Sequence, residues 1–273
     1  MIKDQYLKEL SISNTQKLKG ANNTKKDTMK IQSWLNLFEL ANAGSGTSTG
    51  IDGDFGPATD EAVKRFQRIK KITANGIVDD VVFQKLVQPL QAAFENRIAG
   101  NNLRQLVIDT ADNHLKYHPF ELVVNRQNNS GPWVRSYMNS NEGESWYWCM
   151  GFVQTIIDQA ASQLDKSFKT LMPLTFSCDT VGMTGLQKGN LIRYNKVRQQ
   201  PGLVKTGDIF LVQKTTFDWV HTGIILAVKN GIFETIEGNT NTAGSANGNG
   251  VYKRIRNFMS SKLDVFSIAE LAD

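Results

Sequence analysis

Cys149 enters an apolar run, Ser145-Trp146-Tyr147-Trp148-Cys149-Met150-Gly151-Phe152-Val153-Gln154-Thr155-Ile156-Ile157, in which Phe152, Val153, Ile156 and Ile157 recur at helical spacing. The pattern predicts a helix with the thiol at or just inside its N-terminus. Unpaired N–H groups and the positive end of the dipole there favour thiolate over thiol, and an imidazolium nearby would favour it further. An inert buried cysteine is the competing reading of this stretch taken alone.

A base is available further along. His221 is embedded in the β-rich run Trp219-Val220-His221-Thr222-Gly223-Ile224-Ile225-Leu226-Ala227-Val228, and a strand gives an imidazole a fixed position from which to serve a thiol on a packed helix. Glu237 and Asn239 follow on the next strand. Residues two apart in extended chain point the same way, so both are expected to reach the outer nitrogen of His221. Nucleophile, base and polar orienter thus occur in the order Cys, His, Glu/Asn, as a papain-like thiol enzyme requires.

The remaining reactive side chains carry less. Cys178, the second of two cysteines, has no histidine and no obvious helix start beside it and reads as a structural thiol. Pairing it with Cys149 would consume the nucleophile, so both thiols are expected to be free. His114 and His118 have a metal-pair spacing. Leu115 stands where a metalloprotease helix carries glutamate, however, and Pro119 ends the helix at once, so the expectation is surface or helix-end histidines and no metal or organic cofactor.

These residues need a frame. The chain has 273 residues, 40% hydrophobic and 21% charged, with a formal net charge of +5; it is long enough for two domains and ordinary in composition for a globular protein. The mild basic bias suits polyanionic surroundings, but no basic tract supports nucleic acid as a partner. The first ten residues intersperse charges where a signal peptide needs a continuous apolar core, and no later stretch reaches the length of a membrane span. The expectation is therefore synthesis in the cytoplasm and arrival elsewhere by release, lysis or dedicated secretion.

Four segments follow from the pattern. Residues 1–25 are polar and read as a loosely ordered arm or short helix. Residues 26–90 read as three short helices joined by two glycine turns: Met29, Ile31, Trp34, Leu35 and Phe38 repeat at helical spacing, Asp52-Gly53 and Asn75-Gly76 are turn signals, and Pro57 suits a first helical turn. Pro89 and the run after it mark a linker over 91–100. Residues 101–273 form an α+β unit: an amphipathic helix on Leu103, Leu106, Val107, Thr110 and Leu115, the Cys149 helix, a turn-rich stretch 164–189, and then an antiparallel sheet with its strongest hairpin signal at Asn230-Gly231. A fragment beginning near Gly100 is expected to keep its own core.

Ile51-Asp52-Gly53-Asp54-Phe55-Gly56-Pro57, then Phe66-Gln67 and Gly76-Ile77-Val78, resembles the three-helix peptidoglycan-binding domain of wall hydrolases, from about Lys26 to Val87. It departs in an enlarged first loop, residues 39–49, and in Asp79-Asp80 where the family usually repeats Gly-Pro. Trp148-Cys149-Met150-Gly151-Phe152-Val153, Gly207-Asp208-Ile209-Phe210, His221-Thr222-Gly223-Ile224 and Ile236-Glu237-Gly238-Asn239-Thr240-Asn241 resemble the landmarks of the CHAP family, the cysteine- and histidine-dependent amidohydrolases and peptidases of bacterial wall lysis. This second resemblance implies a papain-like fold, with Cys149 as nucleophile, His221 as base and then acid, Glu237 as orienter of His221 and Asn239 as an auxiliary group. It places Trp148 beside the substrate, and the first resemblance places Asp52, Gly53, Phe55 and Gly56 on the glycan. Met150, where the family often has alanine or glycine, implies a narrower groove beside the thiol.

Together the two imply a monomeric hydrolase of bacterial peptidoglycan cutting an amide of the stem peptide, foremost the bond between muramic acid and L-alanine. Endopeptidase cleavage further along the stem is the alternative. Rivals of other kinds are a non-catalytic wall-binding protein, a thiol peptidase acting on protein and a zinc amidase on His114 and His118. An immunity or delivery protein would be the partner if the chain is an antibacterial effector.

Overall fold

In the computed structural model, which describes residues 2–272, the N-terminal arm is built into the core. A 3-10 helix, Ile2–Glu9, packs on later helices through Tyr6, which stacks on Phe94 at 4.4 Å, and through Glu9, which accepts two hydrogen bonds from Arg135 at 2.8 and 2.7 Å. The sequence gives this arm too little apolar periodicity to reveal that, because its partners lie about 90 and 130 residues away.

Three helices follow, α1 (Lys25–Ala41), α2 (Pro57–Ile69) and α3 (Asp80–Glu95). Their turns are held by one device used twice. Gln32 of α1 turns its amide onto the Asp52-Gly53 turn, donating to Asp52 Oδ1 at 2.8 Å and accepting from Gly53 N at 2.8 Å. Gln67 of α2 does the same to Asn75-Gly76, donating to Asn75 Oδ1 at 3.0 Å and accepting from Gly76 N at 2.9 Å. Both glycines have positive φ, 81° and 75°, the conformation an Asx-Gly turn demands. The enlarged loop after α1 is tied back by Glu39, whose carboxylate accepts from Gly44 N, Ser45 Oγ and Thr47 N. Asp79 caps α3 by accepting from Val82 N at 2.9 Å, which accounts for the departure from Gly-Pro there.

The expected linker begins inside a helix. Pro89 lies within α3, which continues to Glu95, because the buried stripe Phe83, Leu86, Val87, Leu90, Ala93 and Phe94 outweighs the break a proline makes. Side chains of the rear unit complete the end of α3: Asn113 donates to Ala93 O at 2.9 Å and Gln159 donates to Phe94 O at 3.0 Å. Trp34 of α1 meets Trp133 edge-on at 6.2 Å. A single apolar cluster runs through both units, so the expected fragment from Gly100 onward would expose much of its own core.

The rear unit comprises α4 (Leu103–Lys116), a two-stranded ribbon β1 (Leu122–Val124) and β2 (Gln127–Ser130), α5 (Pro132–Tyr137) and α6 (Cys149–Ser162). A 3-10 turn (Phe168–Thr170) then leads to α7 (Cys178–Lys188), which replaces the turn-rich reading of this stretch. The chain continues with β3 (Leu191–Ile192), α8 (Tyr194–Gln199), β4 (Ile209–Thr215), β5 (Asp218–Lys229), β6 (Ile232–Thr240), β7 (Gly250–Asn257), β8 (Leu263–Phe266) and α9 (Ala269–Ala272). The six strands β3 to β8 form one antiparallel sheet in the order β3-β8-β4-β5-β6-β7. The final strand therefore inserts between β3 and β4, and β3 and β7 are the edges. Helix α6 packs on β5 and β6, and a second apolar cluster of Val197, Phe210, Ile225, Phe233, Phe258 and Val265 gives the sheet a buried side of its own.

Candidate active site

Cys149 is the first residue of α6. It is buried apart from a 3% exposed face, which opens into a groove of about 430 Å³ lined by Tyr147, Phe176, Ser177, Cys178, Trp219, Val220, Ala246 and Asn247. Met150 is fully buried and forms no wall of this groove, which corrects the narrowing expected from it. The residue before the thiol is fixed three ways. Trp148 is fully buried, stacks on Tyr137 at 5.8 Å, donates its indole N–H to Glu121 at 2.9 Å and its backbone N–H to Asn239 Oδ1 at 3.2 Å. Trp148 is thus a buttress for the start of α6, which corrects its expected contact with substrate.

His221 lies on β5 in register with Val212 of β4, and its Nε2 is 2.8 Å from Glu237 Oε2. Nδ1 has no hydrogen-bond partner among the described residues and is the nitrogen left for the Cys149 sulfur, with which His221 interacts. The Glu237 carboxylate is held on its other sides by the Thr235 hydroxyl at 2.6 Å and by Arg256 of β7, which donates from Nε at 2.8 Å and also from Nη2. Burial would raise the Glu237 pKa, but Arg256 and His221 outweigh it and hold the group at about 2. Burial would likewise lower His221; the neighbouring Cys149 sulfur and the Glu237 carboxylate prevail and raise it to about 9.

Cys149 moves the opposite way. The Cys178 sulfur lies 4.0 Å from its own, and together with His221 and the Met150 N–H this contact holds Cys149 well below the ordinary thiol value against the effect of burial. The two opposite shifts favour a thiolate facing an imidazolium, the charge state in which a thiol is a nucleophile and the ring already carries the proton a leaving group needs.

Asn239 does not join His221. Its φ is 53° and the β6–β7 register shifts between Glu237 and Thr240, so the alternation that would place Glu237 and Asn239 side by side fails at this bulge. Its Oδ1 holds Trp148 N, while its amide donates to Asn129 Oδ1 at 3.0 Å and to Gly248 O at 2.8 Å. Asn239 thus ties the start of α6 to the glycine-rich loop.

His114 is a core residue. It is fully buried between the Tyr137 hydroxyl at Nδ1 and Gln159 Oε1 at Nε2, both at 2.9 Å, while His118 is exposed. The two histidines share no site, and among the described residues no group of three or more His, Cys, Asp or Glu side chains is arranged to hold a metal ion. In the front module Phe55 is a core side chain, 3% exposed, which corrects its expected place on the glycan. Gly53 and Asp52 are engaged by Gln32, and Gly56 is the N-cap residue of α2.

Residues 24–86 match the family model described as "Putative peptidoglycan binding domain". The front of the chain is thus a peptidoglycan-binding domain, and no CHAP domain was found for the remainder. The chain is also 47% identical over 45 residues to the zinc D-Ala-D-Ala carboxypeptidase of Streptomyces albus G, a stretch that is 16% of this chain and 18% of that relative. The chain therefore spans less than a fifth of the curated relative it matches. No solved structure matches.

Two residues around the site, Arg256 and Thr235, escape the sequence reading, which names Gly223 and Cys178 without their roles there. Nothing distinguishes Arg256 among the basic residues Lys253, Arg254 and Arg256 of β7 until the strands pair. Cys178 had a signal, since Ser177 caps α7 by accepting from Thr180 N at 3.2 Å and Asp179 is acidic in the first turn, the signature of a helix start.

Proposed function

We propose that this chain is a peptidoglycan hydrolase that cuts an amide of the stem peptide with Cys149 as nucleophile, foremost as an N-acetylmuramoyl-L-alanine amidase, and that its rear unit is CHAP-like. The observation that carries the reading is the line that runs from Cys149, which lines a groove, through His221 and Glu237 to Arg256, in a chain whose front is a peptidoglycan-binding domain. The Cys149 thiolate attacks the carbonyl carbon, and N–H groups at the start of α6 stabilise the oxyanion. His221 Nδ1 gives its proton to the departing amine, then takes one from the water that hydrolyses the thioester, while Glu237 keeps the ring oriented and Arg256 keeps Glu237 ionised.

The preference for the lactyl amide is architectural. A module that holds glycan raises the effective concentration of the bond nearest the glycan. Digestion of purified sacculi followed by mass spectrometry tests this. Free stem peptides with new alanine N-termini and no gain in reducing ends are expected. Muropeptides that keep L-alanine on muramic acid but are shortened or uncrosslinked further along would make the enzyme an endopeptidase, and intact sacculi would leave only wall binding.

A further inference from the structure

Cys149 and Cys178 open α6 and α7, line the same groove and bring their sulfurs to 4.0 Å. Neither is engaged in a disulfide. We propose that the two thiols form a reversible oxidation site: a small-molecule disulfide entering the groove closes a Cys149–Cys178 disulfide that removes the nucleophile, and a reducing thiol restores it. The consequence for activity rests on the function proposed above, whereas the oxidation chemistry does not.

The division of labour between the sulfurs suits such a pair. Cys149, held as thiolate by its surroundings, is the attacking sulfur, and Cys178, whose proton affinity is raised by that same charge, is the resolving one. In the first step the Cys149 sulfur attacks one sulfur of the oxidant RSSR; the S–S bond breaks, RS⁻ departs, and the proton on His221 converts it to RSH. Cys149 is now an uncharged mixed disulfide, so the negative charge that held the proton on Cys178 is gone. In the second step the Cys178 sulfur attacks Cys149 Sγ, the Cys149–SR bond breaks, and the departing RS⁻ leaves with the Cys178 proton as a second RSH. Two protein thiols are oxidised and one disulfide is reduced to two thiols.

The geometry asks little of the fold. The sulfurs need close by only ~2 Å to bond, and both ride on first turns, next to loops. Segment 163–177 is anchored by Phe168, Leu171 and Met172, so the closure falls on the side-chain torsions and first turns of the two cysteines. Both cysteines line the groove from which the oxidant would approach, and are 3% and 7% exposed.

The test uses the full-length reduced protein incubated with oxidised glutathione, with intact mass, free-thiol titration and non-reducing peptide mapping as readouts. Expected are loss of two hydrogens with no retained glutathione, disappearance of both titratable thiols, one cross-linked peptide pair, and full reversal by dithiothreitol. Cys178→Ser, checked for folding by circular dichroism, should instead retain one glutathione on Cys149. A wild-type protein that keeps a stable glutathione adduct, or both free thiols, overturns the proposal. Wall digestion on the same samples separates the two readings. Loss and recovery of cleavage with the disulfide supports both; a disulfide that forms and reverses in a protein that never cleaves walls supports the oxidation site and sinks the hydrolase.

Discussion

Gly223 of β5 makes room for Glu237 of β6: a Cβ built on Gly223 would lie 2.7 Å from Glu237 Cγ and 2.8 Å from Phe210 Cε1. Real contacts of this kind do not occur, and a carboxylate wedged between His221 and Arg256 has no slack. Gly223→Ala is expected to displace Glu237 and lower kcat, by less than the loss of His221 itself, with KM little changed. A variant of unchanged kcat would show that the sheet absorbs the methyl elsewhere.

The orienting chain has an order. His221→Ala should be most severe, on the order of 10²- to 10⁴-fold, Glu237→Gln intermediate, and Arg256→Gln milder, since Glu237 retains Thr235. Asn239→Ala should act through the start of α6 and the 239–250 loop, lowering thermal stability while leaving the pH profile in place. If Asn239→Ala shifted the alkaline limb and Glu237→Gln did not, the roles would be exchanged.

The pH profile of kcat/KM follows from the shifted groups. His221 must be protonated and Cys149 ionised; activity is therefore expected to fall as pH rises through about 9, where His221 loses its proton, and to persist on the acid side well below the ordinary thiol value because Cys149 is depressed. Iodoacetamide alkylation of Cys149 should likewise stay fast at mildly acid pH. An alkylation rate rising only near pH 8.5, the ordinary thiol value, would rule out the thiolate–imidazolium pair. Chelators should leave hydrolysis intact while Cys149→Ala abolishes it.

Stability carries the mark of His114. Burial holds its pKa at about 4 against an ordinary 6.5, so the folded state binds its proton later than the unfolded chain does. Its contribution is complete above pH 6.5 and is lost as pH falls toward 4, by about 3 kcal/mol in all. Urea unfolding of wild type and His114→Asn at pH 7.5 and 4.5 should show the wild type losing more on acidification; parallel losses would contradict the assignment.

The arm is expected to hold the two units together. Removing residues 1–12 strips Glu9 from Arg135, which is left with Glu142 as its ion-pair partner, and removes Tyr6 from Phe94. Both the truncation and Glu9→Ala should lower the melting temperature of the whole chain in one cooperative transition. A fragment from Gly100 onward should be poorly soluble; if it folded and cleaved soluble wall fragments, the shared core would be dispensable.

What the sequence by itself determined is local. The helix that starts at Cys149, the strand that carries His221, the Asn230-Gly231 hairpin and the two Asx-Gly turns all follow from periodicity and turn chemistry within about a dozen residues, and such signals survive wherever the segment later packs. Glu237 was named as the partner of His221 from a motif and a two-residue spacing, whereas the β5–β6 register, Ile224 with Ile236, sets it beside Gly223 and diagonal to His221. Only the tertiary structure decided the rest. A bulge near Asn239 turned a two-residue spacing into two separate jobs, β7 brought Arg256 to Glu237, and α7 brought Cys178 to Cys149. The arm and α3 acquired their order from contacts with Arg135, Asn113 and Gln159. Each of these depends on which strands pair, where register slips and which helix ends meet, quantities fixed by the packing of residues far apart in the chain.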